Sequence, residues 1–307
     1  MSNKRIVVVG SSNTDMVVKS NHLPVPGETV LGGTFQMIPG GKGANQAVAA
    51  AALEGEVSLI AKVGNDLFGQ DAKEGFLKKG IDITHVKVDE NTPSGVALIM
   101  VDDQGENCIS VALGANNELS PEDIDHSEGL IRDAAFLLIQ LETPISTVDK
   151  TISLAKEHAT TVVLNPAPAQ NLSDEILRKI HIITPNETEA KILTGIEVND
   201  LSSARKAAKT LKNKGIPIVI ITMGSTGAYV MSDDHDELIP GIQVEAIDTT
   251  AAGDTFNGAL TVALSEHMEL REAIKFANAA AAISVTKLGA QTSAPTRDEL
   301  LKFIESN

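Results

Sequence analysis

The sequence predicts an α/β fold: a doubly wound, mostly parallel sheet flanked by helices, with a small β-sheet lid added to it. Two observations predict the main sheet. Short runs of consecutive apolar residues recur along the 307-residue chain, and each leads into a segment of helical periodicity. Unbroken apolar runs, rather than alternating ones, suit parallel strands covered on both faces. Their regular succession with helices is the pattern of a doubly wound sheet. A third observation predicts the addition: two regions, 16–39 and 94–113, break the rhythm with alternating apolar and polar residues.

The strand candidates are "RIVVVG" (5–10), "VSLIAKVG" (57–64), "AAFLLIQLE" (134–142), "TVVLN" (161–165), "HIITPN" (181–186) and "PIVIITMG" (217–224), with a last strand over 242–248. Helices are expected over 43–54, 67–79, 144–158, 202–214, 254–267 and 270–286. In 202–214, Ala204, Ala207, Ala208 and Leu211 form one stripe and lysines occupy the other side. Gly80, Gly195 and Gly215 fall where helices should end, because glycine accepts the left-handed backbone of a C-cap. Within the second insertion, "DDQGEN" marks a turn. The two insertions would form a separate sheet, either a lid over a cleft or an edge hairpin; their place beside a polar rim favours the lid. No repeat, low-complexity tract or linker divides the chain, so 1–307 reads as one domain.

Composition narrows the function. Hydrophobic residues make up 42% of the chain, enough for a substantial core. A formal net charge of -16 has the wrong sign for gripping nucleic-acid backbones. With no tryptophan and one tyrosine, aromatic platforms for single strands are absent too. An anionic ligand would need backbone N–H groups, a metal ion or a few placed cations. The single cysteine, Cys108, cannot form an internal disulfide and is expected as a small core residue. No apolar run approaches membrane-spanning length, and "MSNKRIVVVG" enters a strand without signal-peptide architecture. A soluble cytoplasmic protein is expected, with neither nucleic acid nor membrane as partner.

In an open α/β sheet, ligands bind beyond the carboxyl ends of the strands. There the sequence places "SSNTD" with Asn13 and Asp15, then Glu142, "NPAPA", "NETE", "TMGSTG" and "DTTAAGD". A turn or an N-cap would explain each one singly; together they make one polar cleft. The glycine spacing of a dinucleotide fingerprint is missing, as is a P-loop, since no Ser or Thr follows the Gly-Lys of "GGKGAN". There is no nucleophile elbow, and the seven histidines are scattered. What remains is "AAGD" opening a helix, where first-turn N–H groups lack partners and the dipole favours an anion. Ala251, Ala252 and Gly253 leave those groups open, and Asp254 sits in the same turn, where the terminus favours its ionised form. A carboxylate beside an anion hole fits a base that takes a hydroxyl proton while the hole holds phosphoryl charge. On this stretch alone a bare helix-dipole partner is the simpler and better explanation of Asp254.

"GGKGANQAVAAAALEG" and "DTTAAGDTFNGAL" resemble the two signature regions of the ribokinase-type carbohydrate kinase family. "SNTD", "NPAPA", "TPNETEA" and "GAQTSAP" extend the likeness in order from Gly10 to about Pro295. The resemblance implies ATP-dependent phosphorylation of D-ribose at its 5-hydroxyl, giving ribose 5-phosphate. Asp254 would be the base, with Ala251, Ala252 and Gly253 as the anion hole. Asn13, Asp15, Gly41, Lys42, Asn45 and Glu142 would hold the sugar, as acids and amides suit a neutral polyol. Asn186, Thr222, Gly224, Ser225, Gly227, Gly253 and Asn278 would contact ATP. Asn186 and Glu189 match the family's NxxE element, linked to Mg²⁺. A potassium ion would be held at Asp248, Thr250, Ser284, Lys287, Gly289 and Ser293, with Lys287 contributing only its carbonyl. Ala251 stands where many family members carry glycine, with no loss of activity expected. The lid implies a homodimer.

Alternatives within the family are kinases of deoxyribose, fructose, a keto-deoxy sugar acid or a nucleoside. A nucleoside would want an aromatic or apolar shelf, and aromatic residues are 3% of this chain. A non-catalytic sugar or nucleotide sensor would have no use for Asp254 as a base.

Overall fold

The computed structural model describes residues 4–307. In chain order the elements run β1 (Ile6–Val9), β2 (Asn13–Lys19), β3 (Thr34–Gly40), α1 (Lys42–Ala52), β4 (Val57–Gly64), α2 (Leu67–Lys78), β5 (Val86–Asp89), β6 (Gly95–Val101) and β7 (Asn107–Ala112). After a 3₁₀ turn come α3 (Pro121–Asp125), α4 (Glu128–Arg132), β8 (Phe136–Ile139), α5 (Ile145–Glu157), β9 (Thr161–Leu164), α6 (Asp174–Leu177), β10 (Ile182–Ile183), α7 (Glu187–Thr194) and α8 (Leu201–Asn213). The last elements are β11 (Ile218–Thr222), β12 (Gly227–Met231), β13 (Asp236–Pro240), α9 (Ala252–Ser265), α10 (Leu270–Ser284) and α11 (Arg297–Ser306).

Nine strands form the main sheet in the order β13-β12-β11-β10-β9-β8-β1-β4-β5. From β11 to β5 every neighbouring pair is parallel, and β12–β13 closes the edge as an antiparallel hairpin. The continuous apolar runs have their reason in β1. Ile6 and Val8 join the core shared with α1, α9 and α10, while Val7 and Val9 face the core shared with α5 and α8. Strand order reverses at β1, with β4 and β5 on one side and β8 to β11 on the other, which opens a crevice at the carboxyl ends.

The helix boundaries follow the periodicity. Ala204, Ala207, Ala208 and Leu211 are the buried residues of α8, and Gly80, Gly195 and Gly215 all take positive φ. Two expectations fail. Residues 242–248 form no strand; Ile242, Val244 and Ala246 line a cavity instead, and the amides of Ile247 and Asp248 bond to the Val285 carbonyl. The sheet edge that this segment would have occupied belongs to β13. Cys108 is exposed rather than part of the core, because every residue of β7 lies at the surface.

The second sheet has the order β3-β2-β6-β7. It starts earlier than expected: β2 begins at Asn13, so Asn13 and Asp15 ride on this smaller sheet rather than in a loop after β1. Asp15 shares its face with Ile38 and Ala97, whereas Val18, Phe35, Met37 and Leu98 stand exposed on the other face. Among the described residues, no helix is long and apolar enough to cross a membrane.

Candidate active site

The crevice holds two cavities that share Asn186, Thr222, Ala252 and Gly253. The larger, about 350 Å³, is lined by Gly224, Ser225, Gly227 and Asn278 together with apolar Ile242, Val244, Ala281 and Val285. The smaller, about 170 Å³, is lined by Lys42, Asn165, Glu189, Ala251, Asp254 and Asn257. The residues expected around a nucleotide thus sit next to the expected base.

Asp254 reaches this place because α9 lies directly on α1. A Cβ at Gly258, one turn along α9, would meet the Cβ of Ala49 at 2.8 Å and the carbonyl of Gln46 at 2.8 Å. Glycine therefore permits the approach that brings consecutive α1 amides to the carboxylate. Asn45 Nδ2 donates to Asp254 Oδ2 at 3.0 Å, and Gln46 Nε2 donates to Oδ1 at 2.9 Å. Sequence position alone argues for a readily ionised Asp254. Burial works the other way and lifts its pKa, opposed by the Lys42 charge and the two amide donors. A raised pKa makes the carboxylate, once ionised, a stronger proton acceptor.

The helix terminus beside it is open. The N–H groups of Gly253 and Asp254 have no hydrogen-bond partner among the described residues, and a Cβ at Gly253 would meet nothing within 4 Å. Ala251 is the N-cap, at φ 57 and ψ 16, with no side-chain cap. That left-handed conformation explains why glycine fits this position. Alanine adopts it at a cost of roughly 1 kcal/mol; of the amides expected to be open, that of Ala252 instead donates to the Thr249 carbonyl at 3.3 Å, leaving those of Gly253 and Asp254 free. The terminus is braced from below: Asn257 Nδ2 donates to the Gly253 carbonyl at 2.7 Å, and Thr184 Oγ1 donates to Asn257 Oδ1 at 2.6 Å.

The remaining polar residues converge from β2, α1 and the loop after β8. Gly41 caps α1 at φ 89; a Cβ there would meet the Asn13 amide nitrogen at 2.7 Å. Lys42 donates its backbone N–H to Glu142 Oε2 at 3.0 Å, and Ser11 Oγ donates to the same oxygen. Burial would lower the Lys42 pKa, but Asp254, Glu142, Glu189 and Asp15 together hold it up. Asp15 is pushed up to about 6, by burial first and then by Glu142 and Asp254. Asn13 Oδ1 accepts from Asn116 Nδ2 at 2.7 Å. Asn45 Oδ1 is buried without a partner, an acceptor free for a hydroxyl.

Asn186 and Glu189 form a capping box at the start of α7: Glu189 N donates to Asn186 Oδ1 at 2.8 Å, and Asn186 N donates to Glu189 Oε2 at 2.9 Å. Asn186 Nδ2 takes the other Glu189 oxygen at 3.1 Å, and burial raises the carboxyl pKa. Both oxygens are thus engaged, which suits a role through water better than direct coordination. No cluster of three or more His, Cys, Asp or Glu able to hold a metal occurs among the described residues.

Asp248 joins two loops, accepting from Thr250 N at 2.9 Å and Gly289 N at 2.9 Å. Burial opposes its ionisation, but these hydrogen bonds win and lower its pKa. The carbonyls of Thr250, Lys287, Gly289 and Ser293 accept no hydrogen bond among the described residues. Ser284 departs from this set, since its carbonyl accepts from Lys287 N at 3.1 Å. The Lys287 ammonium pairs with Glu299 at 2.7 Å, away from that set.

Residue-type reasoning missed Gln46 and Gln140, buried behind Asp254, and Asn165 and Thr184, which line the smaller cavity with it. The available signal was adjacency: Gln46 follows Asn45, and Asn165 opens "NPAPA".

Residues 3–297 match the family described as pfkB family carbohydrate kinase. A ribokinase of Haemophilus influenzae is 51% identical over 302 residues, spanning 98% of this chain and 99% of the relative. A deoxyribokinase of Salmonella typhi is 39% identical over 303 residues, spanning 98% of this chain and 99% of its own. A solved structure of Arabidopsis thaliana ribokinase complexed with ribose and ATP is similar at a TM-score of 0.89 and 32% identity, covering 99% of each chain. Agreement of that extent along the whole length means that the chain belongs to the pfkB family of carbohydrate kinases.

Proposed function

We propose that the chain transfers the γ-phosphoryl group of ATP to the 5-hydroxyl of D-ribose, giving ribose 5-phosphate and ADP. The observation that carries this reading is Asp254, held by two amide donors beside the unpaired N–H groups of α9 where the two cavities meet. Asp254 takes the hydroxyl proton as the sugar oxygen attacks. The new O–P bond forms while the bond from the γ-phosphorus to the β–γ bridging oxygen breaks, and ADP leaves. The unpaired amides of Gly253 and Asp254 stabilise the charge on the group in transit. Asn13, Asp15, Gly41, Lys42, Asn45 and Glu142 hold the sugar, and the free Asn45 Oδ1 supplies an acceptor for it. The apolar wall of the larger cavity suits a purine, with Asn186, the 222–227 turn and Asn278 around the nucleotide.

Mg²⁺ would be held chiefly by the phosphates, with Glu189 acting through water, and would neutralise phosphate charge. K⁺ would bind at Asp248 and the free carbonyls around it, steadying the anion hole. The smaller sheet acts as a lid over the sugar. Its exposed Val18, Phe35, Met37 and Leu98 support pairing with a second copy of the chain. The reaction is placed in the cytoplasm, in keeping with the lone, unpaired cysteine. Higher identity to a ribokinase than to a deoxyribokinase favours ribose as the sugar.

The test is Asp254→Asn, assayed on ribose, deoxyribose and fructose with ATP. Turnover should fall at least about 100-fold while calorimetry still detects ribose binding. Turnover close to the unmodified enzyme would remove Asp254 from the role of base.

A further inference from the structure

The base is approached from behind by a chain of buried amides whose orientation is fixed at its far end. Asn165 Nδ2 donates to the carbonyl of Thr184 at 3.3 Å, so a backbone group that cannot turn over decides which way the Asn165 amide faces. Asn165 Oδ1 must then accept, and it does so from Gln46 Nε2 at 3.0 Å. The same Gln46 nitrogen donates to Asp254 Oδ1 at 2.9 Å. On its other side, Gln46 Oε1 accepts from Gln140 Nε2, while Gln140 Oε1 is buried without a partner. Gln46 and Gln140 are both 0% exposed, so neither can meet sugar or nucleotide. Gly10 completes the enclosure, since a Cβ there would meet Gln140 Oε1 at 2.1 Å.

We propose that Gln46 is a positioning residue for the reaction: locked by Asn165 and Gln140, its amide holds one oxygen of Asp254 in place and supports the carboxylate in its charged form. The proposal rests on Asp254 being the base. Asn45 holds the other oxygen and keeps its own Oδ1 unpartnered, so the two neighbouring residues divide the work. Asn45 is slightly exposed, whereas Gln46 is wholly enclosed and reaches Asp254, Asn165 and Gln140 only. A dry, charge-assisted hydrogen bond of this type favours the ionised partner more strongly than one in water.

The experiment compares Gln46→Met, Gln46→Glu and Asp254→Asn by steady-state kinetics between pH 5 and 9, with thermal melts of each. Methionine keeps the volume and removes the donor. Its kcat should fall about 10- to 100-fold with the sugar KM within about threefold, and the acidic limb of kcat should move up by about one pH unit. Glutamate is isosteric and donates only while protonated, so its activity relative to the unmodified enzyme should decline as the pH rises. That variant decides the matter where the methionine form does not fold. A limb that stays in place in the methionine variant, or a native pH profile in the glutamate variant, overturns the proposal. So does a loss that merely tracks a lower melting temperature. If Gln46 variants behave normally while Asp254→Asn is inactive, the base stands and the positioning role falls; an active Asp254→Asn removes the base itself.

Discussion

Asp15→Asn tests how much the enclosure of the sugar site costs the ligand-free protein. The Asp15 carboxyl is packed so closely that a Cβ at Gly40 would meet its Oδ2 at 2.3 Å, and burial first, then the Glu142 and Asp254 carboxylates, raise its pKa to about 6 from 3.8. The folded state therefore binds this proton more tightly than the unfolded chain does. Below the unfolded value both states are protonated and the group costs nothing. As the pH rises from about 4 to 6 the unfolded chain ionises first and stability is lost; above 6 the full penalty remains. About two pKa units correspond to about 3 kcal/mol. A neutral amide of the same shape removes that penalty but gives up water of its own, so a gain of about 1–3 kcal/mol at pH 8 is expected. Urea unfolding of both proteins without ligand, at pH 8 and at pH 4, reads the difference directly. The variant should be more stable at pH 8, lose its advantage by pH 4, and bind ribose far more weakly at any pH. Equal unfolding midpoints at pH 8, or an offset that does not change with pH, would refute the reasoning.

Ala251→Val should lose at least about 1 kcal/mol of stability and most turnover, because a β-branched side chain tolerates φ 57 less well than alanine; Ala251→Gly should retain full turnover, and an unaffected valine variant would show that this turn is not strained. Replacing choline by potassium in the assay should raise turnover, and Asp248→Asn should blunt the rise. Identical rates in the two salts would end the cation reading.

The chain's own residues settled the parallel sheet, its helices and the crevice rim, since unbroken apolar runs and 3.6-residue stripes are local patterns set by burial on two faces or one. The carboxylate and open amides of "AAGD" were legible for the same reason: a helix terminus is a local object. Three things were decided only by tertiary structure. The segment 242–248 alternates like a strand, yet β13 takes the edge and leaves Ile242 and Val244 to line a cavity. Asp254 stands at a helix terminus that favours ionisation, yet burial raises its pKa against the pull of Lys42 and its two amide donors. Gln46 and Asn165, 119 positions apart, share a hydrogen bond, and Gln46 reaches Asp254 across 208. Periodicity reports which face of an element is buried but not what lies opposite. The orientation of a buried amide depends wholly on partners that the chain brings together only when α9, with glycine at 258, closes onto α1.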